Sequence, residues 1–131
     1  MSRKVRSMLN WAPALVYMGL IYYLSSLSHP PSALIIAPDY VLHGVEYFVL
    51  YVLVFLAMHQ GLHRYPARGS YWVPAVFAIL YGMLDEYHQK FVPNRDASIR
   101  DLLADMVGVG VGVPFVLLSD RVMNAFRTKE V

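Results

Sequence analysis

"YVLHGVEYFVLYVLVFLAMHQGL", residues 40–62, decides how the rest of the chain is read. A helix needs about 20 residues to cross a hydrocarbon core about 30 Å thick, and this run supplies them. It reaches that length only by taking in ionisable residues at one end, His43 and Glu46. A helix apolar almost all round has no water-facing side, which argues against a soluble bundle.

Three more stretches of this kind flank it: Trp11 to Leu27, Tyr71 to about Phe91, and Leu102 to Leu118. The links between them, "SHPPSALIIAPD", "HRYPARGS" and "VPNRDAS", are rich in Pro, Gly, Asn and Ser, as turns are. With 57% hydrophobic and 15% charged residues, the 131-residue chain reads as one membrane domain over 1–131. The expected fold is all-α, a four-helix transmembrane bundle with spans at about 11–27, 40–62, 71–91 and 102–118.

Lysine and arginine orient this bundle. Arg3, Lys4, Arg6, Arg64, Arg68, Arg121, Arg127 and Lys129 fall on one side, and Lys90, Arg95 and Arg100 on the other. The positive-inside rule then places both termini in the cytoplasm. A cleaved signal peptide would also begin with "RKVR" and an apolar run, but the Pro-rich region after Leu27 lacks an A-x-A site. A net charge of +2 with no basic stripe sets nucleic acid aside as a partner.

Seven of the nine acids, Asp39, Glu46, Asp85, Glu86, Asp96, Asp101 and Asp105, belong to the outer side in this topology. Helical spacing stacks Asp39, His43 and Glu46 on one face of the second span. It does the same for Asp85, His88 and Gln89 on the third, and for Asp101 and Asp105 on the fourth. Part of this is helix capping: Asp39 follows Pro38 as an N-cap, and "SIRD", residues 98–101, matches a capping box. Capping does not account for His43, Glu46 or Asp105, which lie a turn or more inside, where an ionisable group costs a few kcal/mol unless it is paired or hydrated. Asp85 and Glu86 stand at the negative end of their helix dipole and call for compensation, with Arg95, His88, Lys90, His43 or a metal as candidates.

With no cysteine and no G-x-S-x-G motif, chemistry at such a cluster falls to carboxylates, imidazole or metal-bound water. Asp85, Glu86, His43 and His88 are the candidate catalytic groups. Arg95, Gln89, Glu46, Asp101 and Asp105 are the candidates for holding substrate, with Arg95 as an anion clamp. A divalent metal is one cofactor the set allows, with His43, Glu46, Asp85 and His88 as its candidate ligands. Gly108 and Gly112, at GxxxG spacing, point to close helix packing, and Tyr47 and Tyr51 to packing or interface anchoring.

The chain resembles the VanZ-like family of small bacterial membrane proteins. The resemblance rests on "DYVLHGVEYFVLYVLV", residues 39–54, with D-x-x-x-H-x-x-E-Y, and on "LYGMLDEYHQKFVPNRDASIRDLLADMVGVGVG", residues 80–112, with DE-x-x-Q and V-P-x-R. The matching positions are Asp39, His43, Glu46, Asp85, Glu86, Gln89, Arg95, Asp101 and Asp105. Asn94 departs from a common glycine and Asp105 from the usual asparagine. The family is named for a teicoplanin-resistance determinant, so the resemblance implies a role in glycopeptide (teicoplanin-type) resistance, while the outward polar cluster itself points to cell-envelope lipid chemistry. Three readings stay open: an intramembrane hydrolase or transferase on a lipid headgroup, a non-catalytic lipid or glycopeptide binder, and a structural protein whose ionic network fixes packing. The partner in the first is a membrane lipid or lipid-linked headgroup in the bacterial cytoplasmic membrane. A homo-oligomer is compatible with all three.

Overall fold

The computed structural model describes residues 3–29, 37–61 and 71–127. Among them the chain is all-helical: α1 Arg3–Ser25, α2 Asp39–Gly61, α3 Trp72–Gln89 and α4 Ile99–Arg127. Leu62 at the end of the expected second span, the link with Arg64 and Arg68, and Lys129 lie outside the described residues. α1 begins eight residues before the apolar stretch and α4 runs past Leu118, because Arg, Lys, Met and Leu sustain a helix beyond the apolar segment.

α2 is the central helix and touches the other three, most extensively α4. Its buried Tyr47, Leu50, Tyr51 and Val54 meet Val109 and Val116 of α4, Ala75 and Ala78 of α3, and Ala14 and Ile21 of α1. α2 and α4 approach backbone to backbone: a Cβ built on Gly108 would fall inside the Gly44 carbonyl. At one end Tyr71 Oη donates to Asp120 Oδ2 at 3.0 Å, while halfway along Tyr81 Oη donates to the Met18 carbonyl at 2.7 Å.

Two of the helices, α2 and α4, are long and apolar enough to cross a membrane, and fewer than half of the residues in either are buried in the bundle. The apolar core helix of a soluble protein would be mostly covered. Here Val45, Leu56, Leu103, Val107, Val111 and Leu118 face outward, an apolar surface that fits hydrocarbon and not water. The chain has the surface of a membrane protein.

The turn between α3 and α4 carries the two helices into register at the site. Arg95 N–H donates to the Val92 carbonyl at 3.2 Å, closing a β-turn with Pro93 second and Asn94 third. Asn94 has φ 61°, as the third residue of a type II turn requires. Asparagine tolerates this left-handed region and glycine adopts it freely, so one physical demand covers both residues at this position. Asn94→Gly should therefore melt close to wild type in detergent, whereas Asn94→Val should lose about 1–2 kcal/mol. Equal melting of the valine variant and wild type would remove this account of the turn.

Candidate functional site

The N-termini of α2 and α4 and the C-terminal ends of α1 and α3 meet at one end of the bundle. His43, Asp85, Glu86, Gln89, Asp101 and Asp105 are all buried there, with Asp105 fully enclosed and His43 only 5% exposed. His43 lies one turn into α2 and Asp105 one turn into α4. Their Nδ1 and Oδ1 atoms are 3.0 Å apart, a hydrogen bond between neighbouring helices. Glu86 Oε1, from α3, is 4.0 Å from the same Nδ1. Three helices thus converge on one imidazole nitrogen.

Asp105 reaches this position because α3 has no side chain at Gly82. A Cβ there would lie 2.9 Å from Asp105 Oδ2 and 3.1 Å from Tyr47 Cε1. Gly82 is one helical turn before Asp85 and Glu86, on the buried face of α3.

The compensation that Asp85 and Glu86 call for comes from an unexpected source. Glu86 Oε2 accepts the Ser98 N–H at 2.8 Å, so the acid at the negative end of α3 caps the positive end of α4. This also revises the capping box. Ser98 Oγ accepts from Arg100 N–H at 3.1 Å, and the reciprocal arm expected from Asp101 is supplied by Glu86 of another helix. Asp85 Oδ2 accepts from Gln89 Nε2 at 3.2 Å, within its own helix.

Arg95 does not oppose Asp85. Its Nε and Nη2 donate to the carbonyls of Leu27 and Leu24, each at 3.1 Å, and its Nη1 lies 3.9 Å from exposed Asp39. The guanidinium is therefore engaged by acceptors at the C-terminal end of α1. His88 also leaves the expected set: its Nε2 lies 2.9 Å from Ser26 Oγ and its ring packs on Tyr22 at 4.6 Å, against α1. The turn of α3 between Asp85 and His88 rotates the imidazole toward that helix. Asp39 is not the N-cap, because Pro38 offers the carbonyl that accepts Val41 and Leu42 N–H. Glu46 is half-buried one turn below His43 on the same helix.

The expected metal ligands accordingly come apart. His43, Glu86 and Asp105 place one ligand atom each within 4.8 Å of one another, and Asp39, His43 and Asp101 form a second, more exposed group. Neither group contains Glu46, Asp85 or His88.

Tyr47, assigned to packing from sequence, is fully buried beside Asp85 and Asp105, and its ring is parallel to that of His43 at 6.5 Å. The signal was its position four residues after His43, on the same helical face. Four buried oxygens here have no hydrogen-bond partner among the described residues: Tyr47 Oη, Asp85 Oδ1, Glu86 Oε1 and Asp105 Oδ2. Each such group costs about 1–3 kcal/mol if nothing binds it.

Along the α2–α4 crossing a groove of about 630 Å³ runs between Val41, Val45, Phe48, Leu103, Val107 and Val111. Tyr40 and Arg100 close its upper end, the guanidinium 4.8 Å above the ring centre.

The family model described as VanZ/LLP1 matches residues 4–120. No curated protein and no solved structure matches the chain.

Proposed function

Because the chain belongs to the VanZ/LLP1 family, and because its buried polar cluster lies between apolar helices, we propose that it acts on the headgroup of an envelope lipid. In this reading all four helices span the bacterial cytoplasmic membrane, both termini are cytoplasmic, and the cluster faces outward. The observation that carries it is the set of four unpartnered buried oxygens around His43. A network that served only to hold helices together would satisfy its own donors and acceptors. Oxygens left over at headgroup depth are suited to a polar ligand.

Glu86 Oε1 is free to take a proton from water or a hydroxyl, and His43, oriented by Asp105, can return one to the leaving oxygen. This fits hydrolysis or transfer at a phosphate or acyl ester. The groove beside the site suits an acyl chain, and Arg100 at its upper end suits the anionic part of the headgroup. The ties that Arg95 and Glu86 make between helices favour the structural reading as the competitor.

The test compares lipid extracts and glycopeptide susceptibility in a deletion strain carrying an empty vector, the wild-type gene or Glu86→Gln. At least one lipid species should change with the wild-type gene and not with Glu86→Gln. Identical lipids and susceptibility in all three strains would sink the reading. Orientation is tested in the same cells, since the chain has no cysteine of its own. A cysteine at Ala97 should react with an impermeant thiol reagent on spheroplasts. One at Gly69, outside the described residues, should not.

A further inference from the structure

The buried cluster sets four carboxyl groups, Asp85, Glu86, Asp101 and Asp105, beside one imidazole. Glu86 and Asp105 face His43, and Asp85 and Asp101 lie close enough to act on Asp105. Lysine and arginine at this end are engaged elsewhere: Arg95 with α1 and Asp39, Arg100 over Tyr40, Lys90 over Tyr87. Among the described residues no lysine or arginine pairs with Asp85, Glu86, Asp101 or Asp105.

We propose that His43, Glu86 and Asp105 form a binding site for a divalent transition-metal cation, with zinc as the best match. The donors are one imidazole nitrogen and two carboxylates from three different helices, all buried. Two ligands of a tetrahedral zinc, each about 2.0–2.1 Å from the ion, stand about 3.3 Å apart. The separations of 3.0 Å and 4.0 Å from His43 Nδ1 bracket that value.

The second, independent observation is at Glu86. One of its oxygens is held by Ser98 N–H, while Oε1, on a side chain nine-tenths buried, has no hydrogen-bond partner. Its 4.0 Å distance from Nδ1 is too long for a hydrogen bond, and a small approach of the two side chains would bring these atoms to the spacing of two ligands on one ion. Asp105 Oδ2 is likewise unpartnered and enclosed. Three protein ligands leave a fourth position for water, the pattern of a zinc site that does chemistry.

The rival occupant is a proton. The 3.0 Å contact between Nδ1 and Asp105 needs a hydrogen on one of them, and a metal on Nδ1 must displace it, so zinc should bind more tightly as pH rises. The site rests on the lipid-headgroup reading for its purpose: with the ion bound, Glu86 Oε1 would be a ligand in place of the free base, and the ion would activate the water that attacks the headgroup. Metal content and lipid composition are separate measurements, so either idea can fail alone.

The experiment uses the full chain, purified in detergent without chelator. Its metal-to-protein ratio is measured, then the EDTA-stripped protein is titrated with zinc chloride while melting is followed at two pH values. About one zinc per chain is expected, with binding at least 10-fold weaker in Glu86→Gln and unchanged in His88→Gln, whose ring lies against α1. If Glu86→Gln does not fold, the wild-type stoichiometry and its pH dependence decide. Wild-type protein that carries no metal and whose melting does not respond to zinc, manganese or cobalt overturns the site. So does equal affinity in a folded Glu86→Gln. One zinc per chain with lipids unchanged by the gene supports the site and overturns the lipid reading.

Discussion

Gly108→Leu is expected to separate α4 from α2 and to lower melting in detergent more than any other single change in the apolar interior. The Cβ of Gly108 would fall on the Gly44 carbonyl, which is backbone and cannot swing aside as a side chain can. Even alanine must push the helices apart, and leucine adds a branched side chain to a crossing that has no space. Overpacking of this kind costs about 1–3 kcal/mol and sometimes more, and the backbone contact puts this site at the upper end. Gly112→Leu should cost less, because its obstacle is the Tyr51 ring, with Cδ1 2.5 Å from the new Cβ. Gly110→Ala is the internal control: nothing lies within 4 Å, and replacing a helical glycine should raise stability by about 0.5–1 kcal/mol. If Gly108→Leu melts like Gly110→Ala, the close crossing of α2 and α4 is wrong.

The second large effect is expected at the His43–Asp105 pair. Removing one member of a buried pair leaves the other unpaired and costs about 3–5 kcal/mol, so His43→Leu and Asp105→Leu should each fold poorly. Asp105→Asn should fold, because an amide can either accept from or donate to Nδ1 and its size is unchanged. The double His43→Leu/Asp105→Leu variant separates the readings, since an apolar pair restores packing without restoring a base or a ligand. Its melting should recover most of the loss while lipid composition and glycopeptide susceptibility stay as in the deletion strain. Recovery of stability and phenotype together would show that the pair only holds the helices. It would also end the case for a site at this end of the bundle.

The resemblance to VanZ-like proteins, drawn from residues 39–54 and 80–112, agrees with the family match over residues 4–120. Asn94 shows how a departure from a family pattern can be read physically. Its φ of 61° explains why glycine serves there, and why asparagine is the substitute that strains least. Asp105 is a departure of another kind, since the carboxylate keeps the acceptor that an asparagine would offer His43 and adds an ionisable oxygen.

Helical periodicity is a property of the chain within one element, and so it could be read directly. The four helices, and the placing of His43 with Tyr47 and of Asp101 with Asp105 on common faces, follow from a rise and twist that every α-helix shares. Partners across helices depend on how far each helix is rotated and how close its backbone comes, and spacing along one helix does not encode that. Arg95 looked like the counter-ion of Asp85 because the two flank one turn, yet the turn aims it at α1. His88 shares a helix with Asp85 and Glu86, yet three residues of rotation carry it to Ser26. Glu86 became the cap of α4, and Asp105 the partner of His43, because Gly82 and Gly44 let three backbones approach closely enough for short side chains to meet. An ångström of helix separation decides between a hydrogen bond and no contact, and that ångström is a property of the packed bundle.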